Sequence, residues 1–355
     1  MKPIRVWFNR TFSSAYHAVN LIRDNPDGFP VKVYGSHDSL DAVFLGACDR
    51  ALIEPSVAPD PYLEYALDFC AGHRIRAFVP KRFMGAVAAR REEFADRGTG
   101  VLVAGTPAAL AAMSDKGAMY PAVERLCPGV APLHRVVRTA DEFAAAHADL
   151  LAAGVTACIK PAEGEGGGGF RVIEPNRTAL SVLADHPDSR VGLDTVLAAL
   201  SSVESFAPLI VSEHIAGPEY SVDCLASGGE LLVGVARRKI DRRTQRIEDA
   251  GELVEIARAI AREYALDSIF NVQFLLGRDG PKVIDVNPRM SAGVDVIAAS
   301  GVNLPWLGLR LLLEGEVSVP VPRFGVTVGR IDHLVTVNGR RPAEQPAREA
   351  AGTAA

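Results

Sequence analysis

The 355-residue sequence contains no run of about 18 apolar residues, so no helix in it is expected to cross a membrane. The opening MKPIRVWFNR lacks an apolar h-region and reads at once as a strand, so no signal peptide is expected. Cysteines number five, widely spaced and without a C-x-x-C pair. That pattern fits reduced thiols in a cytosolic protein better than a disulfide frame or a zinc site. The eight histidines show no H-E-x-x-H or H-x-E spacing, and no G-x-S-x-G elbow supports a serine hydrolase. His17, on a presumed helix, and His214 read as structural. Positive charge is not in excess either: the net charge of -5 argues against a dedicated nucleic-acid binder. What the chain does have is 48% hydrophobic residues, enough to bury a substantial core in two or three lobes.

Residues 1–105 alternate short apolar strands (Ile4–Phe8, Val31–Tyr34, Ala51–Ile53, Ala77–Pro80, Val101–Ala104) with helical stretches such as Tyr62–Ala71 and Gly85–Asp96. Such alternation implies a small parallel sheet with crossover helices. A dinucleotide site would place glycines after the first strand, but Asn9–Ser14 holds none, so this is not a standard NAD-binding unit. Residues 10–14 lie where open α/β sheets bind ligands and could touch a second substrate. The plainer account is a helix N-cap at Ser13 or Ser14.

Beyond about 113 the pattern becomes α+β. Helices are expected at Thr106–Met113, Lys116–Leu126, Ala140–Ala153, Leu193–Ser205 and Gly251–Tyr264. Strands are expected at 155–160, 170–173, 209–215, 219–225, 231–237, 269–276 and 282–286. The tail after about 338, polar and alanine-rich, is expected to be disordered.

Three segments could carry chemistry. In IKPAEGEGGGGFRVI, residues 159–173, five glycines fall within 164–169. Glycines let main-chain N–H groups close around phosphate oxygens, and Lys160 could add charge; a flexible surface loop is the competing account. In FNVQFLLGRDGPKVIDVNPRMSAG, period two puts Asp285 and Asn287 on one strand face, with Gln273 on the polar side of the preceding strand. Hard oxygen ligands of this kind suit Mg²⁺, and Arg289 could reach a phosphoryl group or carboxylate. The alternative is the solvent face of a hairpin. In VSEHIAGPEYSVDCLA, 211–226, Glu219, Ser221 and Asp223 alternate with apolar residues, which alone reads as an ordinary hairpin.

Taken in order, SDKGAMY at 114–120, IKPAEGEGGGGF at 159–170, VSEHIAGPEYSVD at 211–223 and NVQFLL…VIDVNPRMSAG at 271–293 resemble the ATP-grasp superfamily over roughly residues 1–320. Within it the chain is similar to the carbamoyl-phosphate-synthase-like carboxylate–amine ligases. The resemblance implies a Rossmann-like pre-ATP-grasp domain over 1–112, a lobe with a glycine-rich lid over 113–208, a metal-bearing lobe over 209–320, and a final strand and tail over 321–355. It implies that Lys116 and Lys160 contact ATP phosphates and that Gly166 and Gly167 cover them. It also implies that Glu213 and Ile215 hold the adenine edge and Glu219 the ribose. Gln273, Asp285 and Asn287 match the Mg²⁺ set, with Mn²⁺ able to substitute, and Arg289 the arginine that steadies the acyl phosphate. The family usually has glutamate where Asp285 stands, which bears on whether two metals are bridged.

The implied chemistry is Mg-ATP-dependent activation of a carboxylate as an acyl phosphate, then attack by an amine. The partners are small-molecule acid and amine, with a homodimer allowed and a cytoplasmic location. The rivals are a kinase of the same fold, a biotin carboxylase and a non-catalytic ATP sensor. In the basic stretch 237–246, Arg237 and Lys239 share a strand face, and Lys239 is the expected phosphate contact; the other charges read as a solvated hairpin tip.

Overall fold

The computed structural model describes residues 2–164, 167–184, 188–332 and 334–337. Gly166 and the tail after 338 lie outside them. The chain divides into two compact units. One takes the chain to Val103, Ala292–Val321 and the described residues from Arg330 on; the other takes Ala104–Ser291 and Pro322–Gly329.

In the first unit, β1 (Ile4–Phe8), β2 (Val31–His37), β3 (Arg50–Ile53), β4 (Ala77–Val79) and β5 (Gly100–Val101) form a parallel sheet in the order β3-β2-β1-β4-β5. Val6, Trp7 and Phe8 are all buried, as expected of a strand covered on both faces. Trp7 stacks on Phe69 and Phe78 at ring-centroid distances of 4.3 and 4.1 Å. The crossover helices are α1 (Ala15–Arg23), α2 (Pro59–His73) and the pair α3 (Met84–Ala89) and α4 (Arg91–Asp96). The last two replace the single helix expected over 85–96, because the chain leaves helical geometry at Arg90. Ser14 stands at the N-cap of α1 without a side-chain capping bond.

The second unit runs α5 (Pro107–Ser114), α6 (Lys116–Leu126), β6 (His134–Val137), α7 (Ala140–Ala152), β7 (Ala157–Pro161), β8 (Arg171–Glu174), α8 (Ala179–Ala184), β9 (Arg190–Gly192), α9 (Leu193–Leu200) and β10 (Leu209–Glu213). It continues with β11 (Glu219–Ser227), β12 (Glu230–Lys239), β13 (Thr244–Glu248), α10 (Gly251–Glu263), β14 (Ser268–Gly277), β15 (Gly280–Asn287) and β16 (Thr327–Gly329). Two helices that follow β15, α11 (Val294–Ala298) and α12 (Leu304–Glu314), belong instead to the first unit. Trp306 and Leu309 share its core with Val6, Phe8, Val19 and Ile22. This differs from the sequence division that put 209–320 in one lobe.

The second unit has a five-stranded sheet, β6-β10-β7-β8-β9, and a six-stranded one, β15-β14-β11-β12-β13-β16. Helix α10 buries Leu253, Ile256, Ala257, Ile260 and Ala261, an i, i+3, i+4, i+7, i+8 stripe, and packs on β11 and β12. Strands β10 and β11 were read as an ordinary hairpin; they lie in different sheets, so residues 214–218 are a crossing between sheets. On one side of the crossing His214 N donates to Thr156 O at 2.7 Å. On the other, Leu276 N donates to Pro218 O at 3.0 Å, and a Cβ on Gly217 would lie 1.8 Å from Leu276 O.

Candidate active site

Register decides which side chains share a surface of the six-stranded sheet. Arg237 on β12 pairs with Ser221 on β11, Ser221 with Gln273 on β14, and Gln273 with Asp285 on β15. The adjoining row holds Asp223, Asn271 and Asn287. Paired residues of antiparallel strands point to the same side, so this face is polar across four strands. Val222, Cys224, Val272 and Val286 alternate with them and are buried on the other side. The ladder slips between Gln273 and Phe274, a bulge beside the Gln273–Asp285 pair.

Asp285 is held from two directions. Its Oδ1 lies 3.1 Å from Lys116 Nζ, and its Oδ2 accepts from Asn287 Nδ2 at 3.0 Å. Lys116 comes from the first turn of α6, whose N-cap Asp115 accepts from Gly117 N at 2.8 Å. It is 7% exposed and its ammonium also donates to Gly164 O in the glycine loop at 3.4 Å.

Lys160, on β7 of the five-stranded sheet, reaches the same strand. Its Nζ lies 2.5 Å from Tyr120 Oη and 3.4 Å from Ile284 O, and Tyr120 Oη donates to Ile284 O at 3.0 Å. Burial, aided by the nearby Lys116 charge, pushes the Lys160 ammonium down to about 8, although Cys158 and Asp285 pull it upward. The buried Tyr120 phenol is pushed well above its usual value, first by burial and then by the Asp285 charge.

In the glycine loop, Gly167 and Gly169 take φ of +72 and +74°. At Gly169 a Cβ would also meet the Pro161 ring at 2.9 Å, whereas Gly167 faces open space.

The other expected residues are distributed less tightly. Glu213 closes β10 and its Oε1 accepts from Leu133 N at 3.0 Å; Ile215 is half-buried in the crossing. Lys239 turns to Glu219, Nζ to Oε2 at 3.0 Å, rather than standing open toward a phosphate. Arg289 donates from Nη1 to Met290 O at 3.1 Å, and its backbone N to Asn287 O at 2.8 Å. In the basic stretch, Arg237 is a half-buried member of the polar face: Nε donates to Asp223 Oδ2 at 2.8 Å and Nη1 to Gln245 Oε1 at 2.5 Å. Arg238 is paired with Glu248 at 2.9 Å.

Tyr120 and Asn271 were not singled out by sequence, and Asp223 only as part of the alternation in 211–226. Tyr120 stands four residues after Lys116 on one helix, and that spacing alone could have marked it. Asp223 and Asn271 are fully buried, and Asp223 Oδ1 and Asn271 Oδ1 have no hydrogen-bond partner.

Residues 205–334 match the family described as ATP-grasp in the biosynthetic pathway with Ter operon. The chain is 21% identical over 328 residues to the carbamoyl phosphate synthase arginine-specific large chain of Geobacillus stearothermophilus, covering 88% of this chain and 29% of that one. It thus spans less than a third of the curated relatives it matches first. An ADP complex of N5-carboxyaminoimidazole ribonucleotide synthetase superposes with a TM-score of 0.65 at 12% identity, over 92% of this chain and 81% of that one. The biotin carboxylase domain of Hydrogenobacter thermophilus 2-oxoglutarate carboxylase, in complex with MgADP, ADP and bicarbonate, superposes with 0.60 at 15%, over 92% and 74%. The family match over 205–334 is to an ATP-grasp model, and the solved structures share the fold of this chain. The sequence is similar to part of the carbamoyl phosphate synthase large chain.

Proposed function

We propose that this chain is an Mg-ATP-dependent ligase that converts a carboxylate to an acyl phosphate and passes it to an amine, forming a C–N bond. The observation that carries the reading is the meeting of Lys116 with Asp285 at 3.1 Å, beside Lys160 and under the glycine loop. ADP-bound and MgADP-bound neighbours of the same fold support it.

In this reading Lys116 and Lys160 bind the triphosphate and Gly167 belongs to its cover, together with Gly166. Glu213 and Ile215 line the adenine edge, and Glu219 takes the ribose, which requires Lys239 to release it and turn to phosphate. Arg289 steadies the transferring phosphoryl group. Gln273, Asp285 and Asn287 offer one carboxylate and two carboxamide oxygens on one sheet face, a hard-oxygen donor set that fits Mg²⁺ and also Mn²⁺. The bound metal would neutralise charge on the phosphates. The first unit is assigned as the pre-ATP-grasp domain, the substrates as a small acid and amine, and the location as cytoplasm.

The test is a phosphate-release screen with MgATP across amino acids and small carboxylates, with and without amines. Release of ADP and phosphate that needs both an acid and an amine is expected. A stable phosphorylated product would mark a kinase instead, and nucleotide binding without turnover on any pair would refute the ligase.

A further inference from the structure

Strand β15 does not run evenly beside β14. Gln273 pairs with Asp285 and Phe274 with Val283, so Ile284 is the extra residue of the bulge, with no Cα partner on β14. A bulged residue drops out of the ladder, and its carbonyl then needs a donor from elsewhere. Two side chains from outside the sheet reach it. Tyr120 Oη, on α6, donates to Ile284 O at 3.0 Å. Lys160 Nζ, on β7 of the five-stranded sheet, lies 3.4 Å from the same oxygen. The ammonium also donates to Tyr120 Oη at 2.5 Å, which closes a triangle of hydrogen bonds on one carbonyl.

The Tyr120 ring has little freedom. It is fully buried, and the His134 ring meets it edge-on at 5.0 Å between centroids. Its helix is pinned one turn earlier, where Lys116 binds Asp285 at 3.1 Å. Positions i and i+4 of α6 thus address consecutive residues of β15, Lys116 taking Asp285 and Tyr120 taking Ile284. The hydroxyl oxygen is the fixed point of the triangle, and Lys160 is its movable member.

A buried tyrosine hydroxyl needs a partner, and the Ile284 carbonyl alone would satisfy it. The bond from Lys160 is more than packing requires, and its effect falls on the lysine. A lysine stem is flexible, and the freedom it loses on gripping a phosphate weakens binding unless it is ordered beforehand. An ammonium carries three donors. The phenol takes one and the carbonyl at most a second, so one stays available for a ligand oxygen.

We propose that Tyr120 is a positioning residue: its hydroxyl, set by the bulged Ile284 carbonyl, holds the Lys160 ammonium in place for a nucleotide phosphate. Tyr120 thereby deepens the nucleotide reading of Lys160, on which its role rests, and acts through that lysine rather than on the phosphate.

Two measurements test this. The first needs no nucleotide: nitrogen-15 NMR of the lysine ammonium groups, with the Lys160 signal assigned by its loss in Lys160→Met. An ammonium held by hydrogen bonds exchanges its protons more slowly, and Tyr120→Phe should broaden or shift that signal. The variant keeps the ring and its contact with His134, so native melting is expected. The second is a cycle of MgADP affinities in the native protein, Tyr120→Phe, Lys160→Met and the double variant. Tyr120→Phe should weaken binding about tenfold in the native background, the loss of one hydrogen bond to a charged group. Once Lys160 is gone the same change should cost less than about twofold. A Lys160 signal absent from the native protein or unmoved by Tyr120→Phe would overturn the role of Tyr120, as would equal losses in both backgrounds or native affinity in Tyr120→Phe. Native affinity in Lys160→Met would instead overturn the nucleotide reading of that lysine and the proposal with it. The ammonium signal, recorded without nucleotide, tells the two failures apart.

Discussion

Lys116 and Asp285 are 169 positions apart in sequence and 3.1 Å apart in space, the ammonium from the first turn of α6 and the carboxylate from β15. The contact joins the helix beside the glycine loop to the proposed metal strand. Asp285 also accepts from Asn287, so both its oxygens are oriented before any ligand arrives.

Asp285→Ala or Asn287→Ala should lower ATP turnover at least about a hundredfold, since both the metal and its orientation would be lost. Nucleotide binding measured without Mg²⁺ should partly survive. Turnover within a few-fold of native in either variant would remove these residues from the metal set.

Lys160 gives a prediction with two opposite signs. Its folded-state value of about 8 lies below the ordinary 10.5, so between those values the unfolded chain holds the extra proton and stability rises with pH. At pH 7 the buried ammonium therefore costs about 3 kcal/mol. Lys160→Met should raise the melting temperature at pH 7 while weakening MgADP binding about tenfold or more. In the native protein, MgADP affinity should fall as pH rises through about 8 and the ammonium is lost. Unchanged nucleotide affinity in the variant would displace Lys160 from the site.

Much of this was legible in the sequence because period and local spacing carry it. Helix α6 spans Lys116–Leu126 as expected, and the alternation around Asp285 and Asn287 predicts their shared face. Strands β6, β9 and β13 were not expected; at three to five residues they are too short for alternation to show. Sheet membership was hidden as well. Nothing local tells that β10 pairs with β6 and β7 while β11 pairs with β12 and β14. Asp223 and Arg237 show the same limit, because their contact depends on a register that only the assembled sheet supplies.

That pair yields a stability prediction. Asp223 is fully buried, so Asp223→Ala leaves the Arg237 guanidinium without its carboxylate and should cost about 3–5 kcal/mol. The double change to Leu at 223 and Met at 237 should recover most of that loss in denaturant unfolding. A single variant as stable as the native chain would contradict the buried pairing.

The two left-handed glycines of the loop should separate strain from crowding. Gly167→Ala meets only the backbone penalty, about 1–2 kcal/mol locally. Gly169→Ala adds a collision with the rigid Pro161 ring and should disturb the loop more, read as faster amide exchange over 161–172. Equal exchange in the two variants would show that the ring contact is unimportant.

The crossing between the two sheets is fastened at both ends, at His214 by Thr156 and at Gly217–Pro218 by Leu276. Within this crossing, any rocking of one sheet against the other would fall on Ile215 and Ala216, the two residues between the fastened ends. One of those two is a residue assigned to the adenine edge. A base docked there would stiffen the joint itself, so that nucleotide occupancy would set how freely the glycine loop swings.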